Sequence, residues 1–207
     1  MFDSTTTSLQ MSWKADSGAA FSGGSGQMAV IGELLHRKCN AAIPHVDIGT
    51  DVFAFRDDRE EVARIQVKTS PGKLYKNGKG YSAKFGIPMK QLERTDEPPL
   101  FYALAVRLDG GWGLFVVIGR TKLKELWNAG CGSKNNKSGD LELYIQFRPE
   151  NEGELKAFCG KFDLTAHINA WESLPPLKAP VPINAEEHEG GVGRAEVHIE
   201  EIAPERP

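Results

Sequence analysis

Residues 64 to 70 read Arg64-Ile65-Gln66-Val67-Lys68-Thr69-Ser70. Side chains of a strand alternate between its faces, so Ile65 and Val67 fall on one side and Gln66 and Lys68 on the other. The β-branched residues favour an extended backbone, and a strand is predicted over Arg64–Thr69. It holds two polar groups side by side on an element that otherwise reads as buried. Upstream, Asp51–Phe55 predicts a second strand after the break at Gly49. The polar run Arg56–Glu61 joins the two as a hairpin. That pairing brings Asp51 to Gln66 and Lys68 at one edge of a sheet.

Working outward, Ala42–Val46 reads as a weak, Pro-containing strand. Before it, Met28, Ile31 and Leu35 recur at helical spacing, with Val30 and Leu34 widening the apolar stripe. Ser25 can cap this helix, and Pro44 limits it to about Cys39 or Asn40. Downstream, Pro71–Lys84 reads as a Gly- and Lys-rich loop. Leu100–Leu108 and Trp112–Ile118, joined by Asp109-Gly110-Gly111, predict a hairpin. Thr121 is expected to cap a short helix to Asn128, ended by Gly130. Gly132–Asp140 reads as a polar loop, Leu141–Phe147 as a strand, and Glu152–Leu174 as partly helical. The fold class is α/β or α+β, a central mixed sheet flanked by helices. Residues 1–24, rich in Ser, Thr and Gly, read as a flexible arm that Phe2, Trp13 and Phe21 can pin only loosely. Residues 25–174 read as the domain, and residues 175–207 as a Pro-rich and then acidic tail.

The length of 207 residues suits one domain plus tails, and a 40% hydrophobic content with 10 Phe and 4 Trp suffices for a sizeable core. No apolar run approaches the roughly 20 residues that span a bilayer. The start of the chain lacks a secretory pattern, so a cytoplasmic protein without a membrane partner is expected. Cys39, Cys131 and Cys159 are odd in number and scattered, which points to free thiols. His36, Cys39 and His45 fit no zinc-finger spacing. His36 reads as an ordinary helix residue and Asp47 as a turn residue. No phosphate-binding loop or dinucleotide fingerprint occurs.

The net charge of −3 conceals a strong segregation. Residues 183–207 carry seven acidic side chains against two basic ones, leaving residues 1–182 with a net positive charge. Between Arg64 and Arg94 there are eight Lys or Arg, opposed only by Glu93. Lys73, Lys76, Lys79 and Lys84 alternate there with Tyr75, Tyr81 and Phe85. Cations for phosphates and rings for stacking are what a nucleic-acid groove uses. A solvated basic loop is the plainer reading. The acidic tail could shield this patch, engage a protein partner, or simply aid solubility.

Phosphodiester cleavage needs a hard cation held by oxygen ligands, which polarises the phosphate and activates a bound water. A lysine nearby stabilises the developing charge. Asp51 offers a carboxylate, Gln66 an amide oxygen, Lys68 the cation, and Glu33, on the preceding helix, a second carboxylate. Plainer readings stand beside these: Asp51 as a turn residue, Lys68 as a strand-end lysine reaching solvent, and Glu33 as a solvated helix residue.

Gly32-Glu33 in a helix, Gly49-Thr50-Asp51 opening a strand and Gln66-Val67-Lys68 in the next resemble the motifs of the PD-(D/E)XK nuclease superfamily. Holliday-junction resolvases, Mrr-like restriction endonucleases and bacterial proteins with a QVKTS-type strand are the nearest likenesses. The resemblance covers roughly Ser25–Ser70 and extends weakly to Ile118. It implies a restriction-endonuclease-like core, Mg2+ as cofactor with Mn2+ able to substitute, and duplex or branched DNA as partner, with a homodimer conceivable. Asp51, Gln66 and Glu33 would be the metal residues and Lys68 the motif lysine. Gln66 departs from the pattern, since Glu or Asp usually stands there and an amide oxygen binds a cation less strongly. The expectation is a DNA endonuclease serving in DNA processing or in defence against foreign DNA. The alternative is a nuclease-like module that binds nucleic acid or a protein without cutting. A third reading is an interaction module whose acidic tail is the functional part.

Overall fold

The structure, a computed structural model, describes residues 17–46, 49–76, 79–108, 111–150 and 154–179. The elements in chain order are α1 (Ser17–His36), β1 (Asn40–Ala42), β2 (Val52–Phe55), β3 (Val62–Pro71), β4 (Lys73–Leu74), β5 (Tyr81–Ile87) and α2 (Met89–Leu92). There follow β6 (Leu100–Leu108), β7 (Gly111–Gly119), α3 (Arg120–Asn128), β8 (Ser133–Lys134), β9 (Leu141–Pro149), β10 (Leu155–Cys159) and β11 (Phe162–Asp163). Three short 3-10 turns, Thr165–His167, Trp171–Ser173 and Pro175–Leu177, close the described chain.

Two sheets result. The first has five strands in the order β1-β2-β3-β6-β7, with β3 and β6 parallel and every other neighbour antiparallel. The second has six strands, β11-β10-β9-β5-β4 with β8 on β9, all antiparallel. Parallel neighbours need a long crossover. Here the crossover from β3 to β6 passes through β4 and β5 of the second sheet and then through α2.

Each face of the first sheet is buried against something different. Tyr102, Leu104 and Val106 of β6 pack with Phe85, Ile87, Leu143 and Ile145 of the second sheet. Ala103 and Ala105, on the opposite face of the same strand, pack with Val30 and Leu34 of α1 and with Trp171. A strand covered on both faces reads as a continuous apolar run, which explains the Leu100–Val106 composition. Each of these larger side chains gains about 1.5–3 kcal/mol by burial. The mixed central sheet is therefore present, but α1 and the C-terminal turns cover only one face. On the other face the second sheet does most of the covering, together with Leu92 of α2 and Leu123 of α3.

Several expectations need correction. The first helix begins at Ser17, not Ser25, and Ser25 Oγ donates back to Ser22 O at 3.1 Å rather than capping. Its buried line is Gly26, Val30 and Leu34, spaced by four, whereas Met28 and Leu35 are exposed. Gly26 is required: a Cβ there would lie 2.2 Å from Thr69 Cγ2 on β3. The helix ends at His36, and β1 meets the expected Ala42–Val46 strand only at Ala42. The supposed loop 71–84 contains β4 and the start of β5. Ser133–Lys134 adds a short strand within the expected polar loop 132–140. α3 has Gly119, not Thr121, at its cap position, without a side-chain cap. Of the stretch 152–174, expected to be partly helical, the described residues 154–174 form β10 and β11 and only short 3-10 turns. Pro176, assigned to the tail, is buried, and Leu177 packs on the core. The hairpin of β6 and β7 agrees with expectation, although Asp109 and Gly110 of its turn lie outside the described residues. So do Phe2, Trp13, Asp47 and the acidic stretch 183–207.

Candidate active site

β2 and β3 pair so that Val52 lies opposite Ile65, and Asp51 N donates to Ile65 O at 2.9 Å. This register puts the Asp51 carboxylate beside Gln66. Asp51 Oδ2 accepts from Gln66 Nε2 at 2.5 Å and from the backbone N of Val67 at 2.7 Å. From the other side, Gln27 of α1 donates to Asp51 O at 2.6 Å and ties the strand start to the helix.

Gln66 is buried, and its amide is ordered by a residue that sequence reasoning did not single out. Gln91 Nε2 donates both to Gly49 O and to Gln66 Oε1, each at 2.7 Å. A backbone carbonyl can only accept, so it is the NH2 of Gln91 that meets Gly49. The same NH2 meets Gln66 Oε1, which leaves the NH2 of Gln66 facing Asp51. Reversing the pair would set acceptor against acceptor. Gly49 makes the close approach possible. Its φ is +92°, in the left-handed region, and a Cβ would lie 2.9 Å from Gln91 Nε2. Gln91 Oε1 is buried with no hydrogen-bond partner among the described residues.

Gln66 and Lys68, on the same face of β3, line a cleft of about 370 Å³ together with Gly49, Pro88, Lys90, Gln91 and Arg94. No acidic side chain lines it. Arg94 of this lining belongs to a cluster around Asp96. Arg64 Nη1, Arg120 Nη1 and Arg94 Nη2 lie 2.5, 2.8 and 3.0 Å from that carboxylate. Arg64 also donates to Pro98 O at 2.7 Å and to Asp96 O at 2.8 Å, and Arg120 to Asp96 O at 2.9 Å. The Arg64 guanidinium first, and Arg120 after it, hold the Asp96 carboxyl well below the usual carboxylate range. Three guanidiniums share one carboxylate, so the cluster keeps a positive excess.

Glu33 is placed elsewhere. Its carboxylate pairs with Arg37 Nη1 at 2.5 Å, and Arg37 in turn lies over the Trp171 ring at 5.5 Å. No described contact joins Glu33 to Asp51. Among the described residues no group of three or more His, Cys, Asp or Glu side chains is arranged to hold a metal ion. Mg2+ is often bound by one or two carboxylates together with substrate phosphates and waters. Asp51 fits that role as a single protein carboxylate for an ion that arrives with a phosphate. Gln66, in this arrangement, orients Asp51 and turns its oxygen toward Gln91.

The basic loop is also dispersed. Phe85 is buried in the core, Tyr81 packs against it, and the Tyr75 hydroxyl is buried, which pushes its pKa up. Lys84 pairs with Glu142 at 2.8 Å. Lys73, Lys76 and Lys79 are exposed. None of these residues lines the cleft beside Gln66.

Gln91, Arg94 and Asp96 carry no motif. Their only signal is the high density of polar residues between two apolar strands. No helix among the described residues is long and apolar enough to cross a membrane. No protein-family model, no curated protein and no solved structure matches this chain.

Proposed function

We propose that this chain is a nuclease-type hydrolase that cleaves phosphodiester bonds of DNA with Mg2+ as cofactor, in DNA processing or in defence against foreign DNA. The observation that carries the reading is the hydrogen bond from Gln66 to Asp51 on the paired strand, with Gln66 and Lys68 lining one cleft that has basic and no acidic side chains. In this reading the helix α1, the antiparallel β1-β2-β3 and the parallel β6 form the restriction-endonuclease-like core. A bound Mg2+ would polarise the phosphate and supply an activated water. Asp51 would hold it, kept in place by the Gln66 amide and the Val67 backbone N. Lys68 would meet the charge that develops on the phosphate oxygens. Lys90 and Arg94 would hold the flanking phosphate in the cleft.

Binding without cutting is the second reading. It is favoured by the turn of Gln66 Oε1 toward Gln91, which leaves a single carboxylate at the centre. Supercoiled plasmid incubated with purified protein in Mg2+, in Mn2+ and in EDTA tests the first. Metal-dependent nicking or linearisation, abolished in Lys68→Ala, is the expected result. Absence of cutting in either metal, with DNA still retained in a gel shift, would leave the binding module.

A further inference from the structure

We infer that the DNA backbone lies along a basic track running from Lys68 over α2 to α3, and not along the Lys73–Lys84 loop. The inference rests on the reading of DNA as the partner but not on cleavage. Two clefts share Arg94 as a common wall. The first, beside the candidate active site, is lined by Lys68, Lys90 and Arg94. The second, of about 540 Å³, is lined by Arg94, Lys122 and Lys124, with Glu97 as its one acidic side chain and Phe101 and Pro99 as apolar floor. Together they make a path longer than any single phosphate needs. The path starts at the side chains that would carry the chemistry.

The charge on this path is largely uncompensated. Lys68, Lys90 and Lys124 form no ion pair among the described residues. Lys122 has only the exposed Glu125 at 3.1 Å, a pair that solvent screens. Arg94 competes with Arg64 and Arg120 for Asp96, and those two are the better buried. An anion bound at Arg94 would thus replace a shared interaction, not break an exclusive one. Clefts lined by one sign of charge focus the field and favour a polyanion. The loop offers less, because Lys84 is already paired and both of its tyrosines are partly taken into the fold.

The test is fluorescence anisotropy of a labelled short DNA duplex in EDTA, so that nothing is cut, over a series of salt concentrations. The variant Lys90→Ala/Lys122→Ala/Lys124→Ala is compared with Lys73→Ala/Lys76→Ala/Lys79→Ala. The first should weaken binding about tenfold or more and flatten the slope of log K on log salt by about 0.9 for each phosphate it no longer neutralises. The second should change affinity by less than threefold or so on the same scale. Lys90→Arg/Lys122→Arg/Lys124→Arg should bind like the parent, and unchanged melting curves would exclude a folding defect. Equal affinity and slope for the α2–α3 variant would overturn the track. So would weakening confined to the loop variant, tighter binding of an RNA duplex of the same sequence, or no DNA binding by the parent. Binding along the track without any metal-dependent cutting would sustain this inference while ending the hydrolase reading.

Discussion

Gln91 donates to Gln66 Oε1 at 2.7 Å, and that bond decides which end of the Gln66 amide faces Asp51. The two glutamines lie 25 residues apart in the chain. A third partner, Gly49 O, prevents the pair from reversing.

Gln91→Leu removes the donor that serves Gly49 O and Gln66 Oε1 together. Taking the donor away from the buried Gln66 amide costs about 1–3 kcal/mol. A denaturant melt should show that loss, and cleavage should fall with it because Gln66 is freed to rotate. A variant as stable and as active as the parent would show that the relay orients nothing.

Gln66→Glu replaces the amide NH2 that now lies 2.5 Å from Asp51 Oδ2 with a second carboxylate. Two like charges at that separation disfavour each other unless a proton or a cation is shared. The melting temperature in EDTA should therefore drop, by roughly 1–3 kcal/mol in stability. Added Mg2+ should restore much of it through linkage, whereas the parent should respond weakly. Parallel thermal scans with and without Mg2+ decide this. A variant insensitive to Mg2+ would remove Asp51 as a place where the ion sits.

Lys68→Ala should change the melting curve little, since Lys68 is only half-buried and forms no ion pair among the described residues. Its rate of DNA cleavage should fall by about 10²–10³, the usual cost of losing one preorganised charge at a reacting centre. Single-turnover cleavage at saturating protein measures it free of any change in binding. Cutting at the parental rate would exclude Lys68 from the chemistry.

Asp96→Ala should destabilise strongly, because Arg64 and Arg120 stay buried without their counter-charge. Removing one member of a buried ion pair costs roughly 3–5 kcal/mol. The lower end is expected, since the Asp96 side chain keeps 30% of its surface exposed. The parental contribution should also depend on pH. The folded carboxyl titrates below its unfolded value, so the stabilisation is complete above about pH 4 and disappears as pH falls below it. Chemical melts between neutral and acidic pH should show the parent and Asp96→Ala converging as pH drops. A constant difference across that range would contradict the assignment.

The sequence by itself determined whatever depends on local period. Alternation in Ile65-Gln66-Val67-Lys68 separates core from polar face, and it does so because neighbouring strand side chains must point oppositely. The Asp109-Gly110-Gly111 turn announces the β6–β7 hairpin, and the short hairpin link after Phe55 places Asp51 against Gln66. The α1 boundary was not legible, because Gly18, Gly23 and Gly24 have poor helix propensity and read as coil. Nor was the second sheet: β5 finds its partner in β9, nearly sixty residues on, and no local pattern encodes that pairing. Residues 155–159 look helical until β9 supplies an edge to extend. The chemistry of the site belongs to the same class. Gln91 and Arg94 are ordinary polar residues in sequence, and only the crossover from β3 to β6 carries them back beside Gln66. Tertiary packing alone turned the Gln66 amide toward Asp51, because hydrogen-bond direction follows from partners that the chain brings together late.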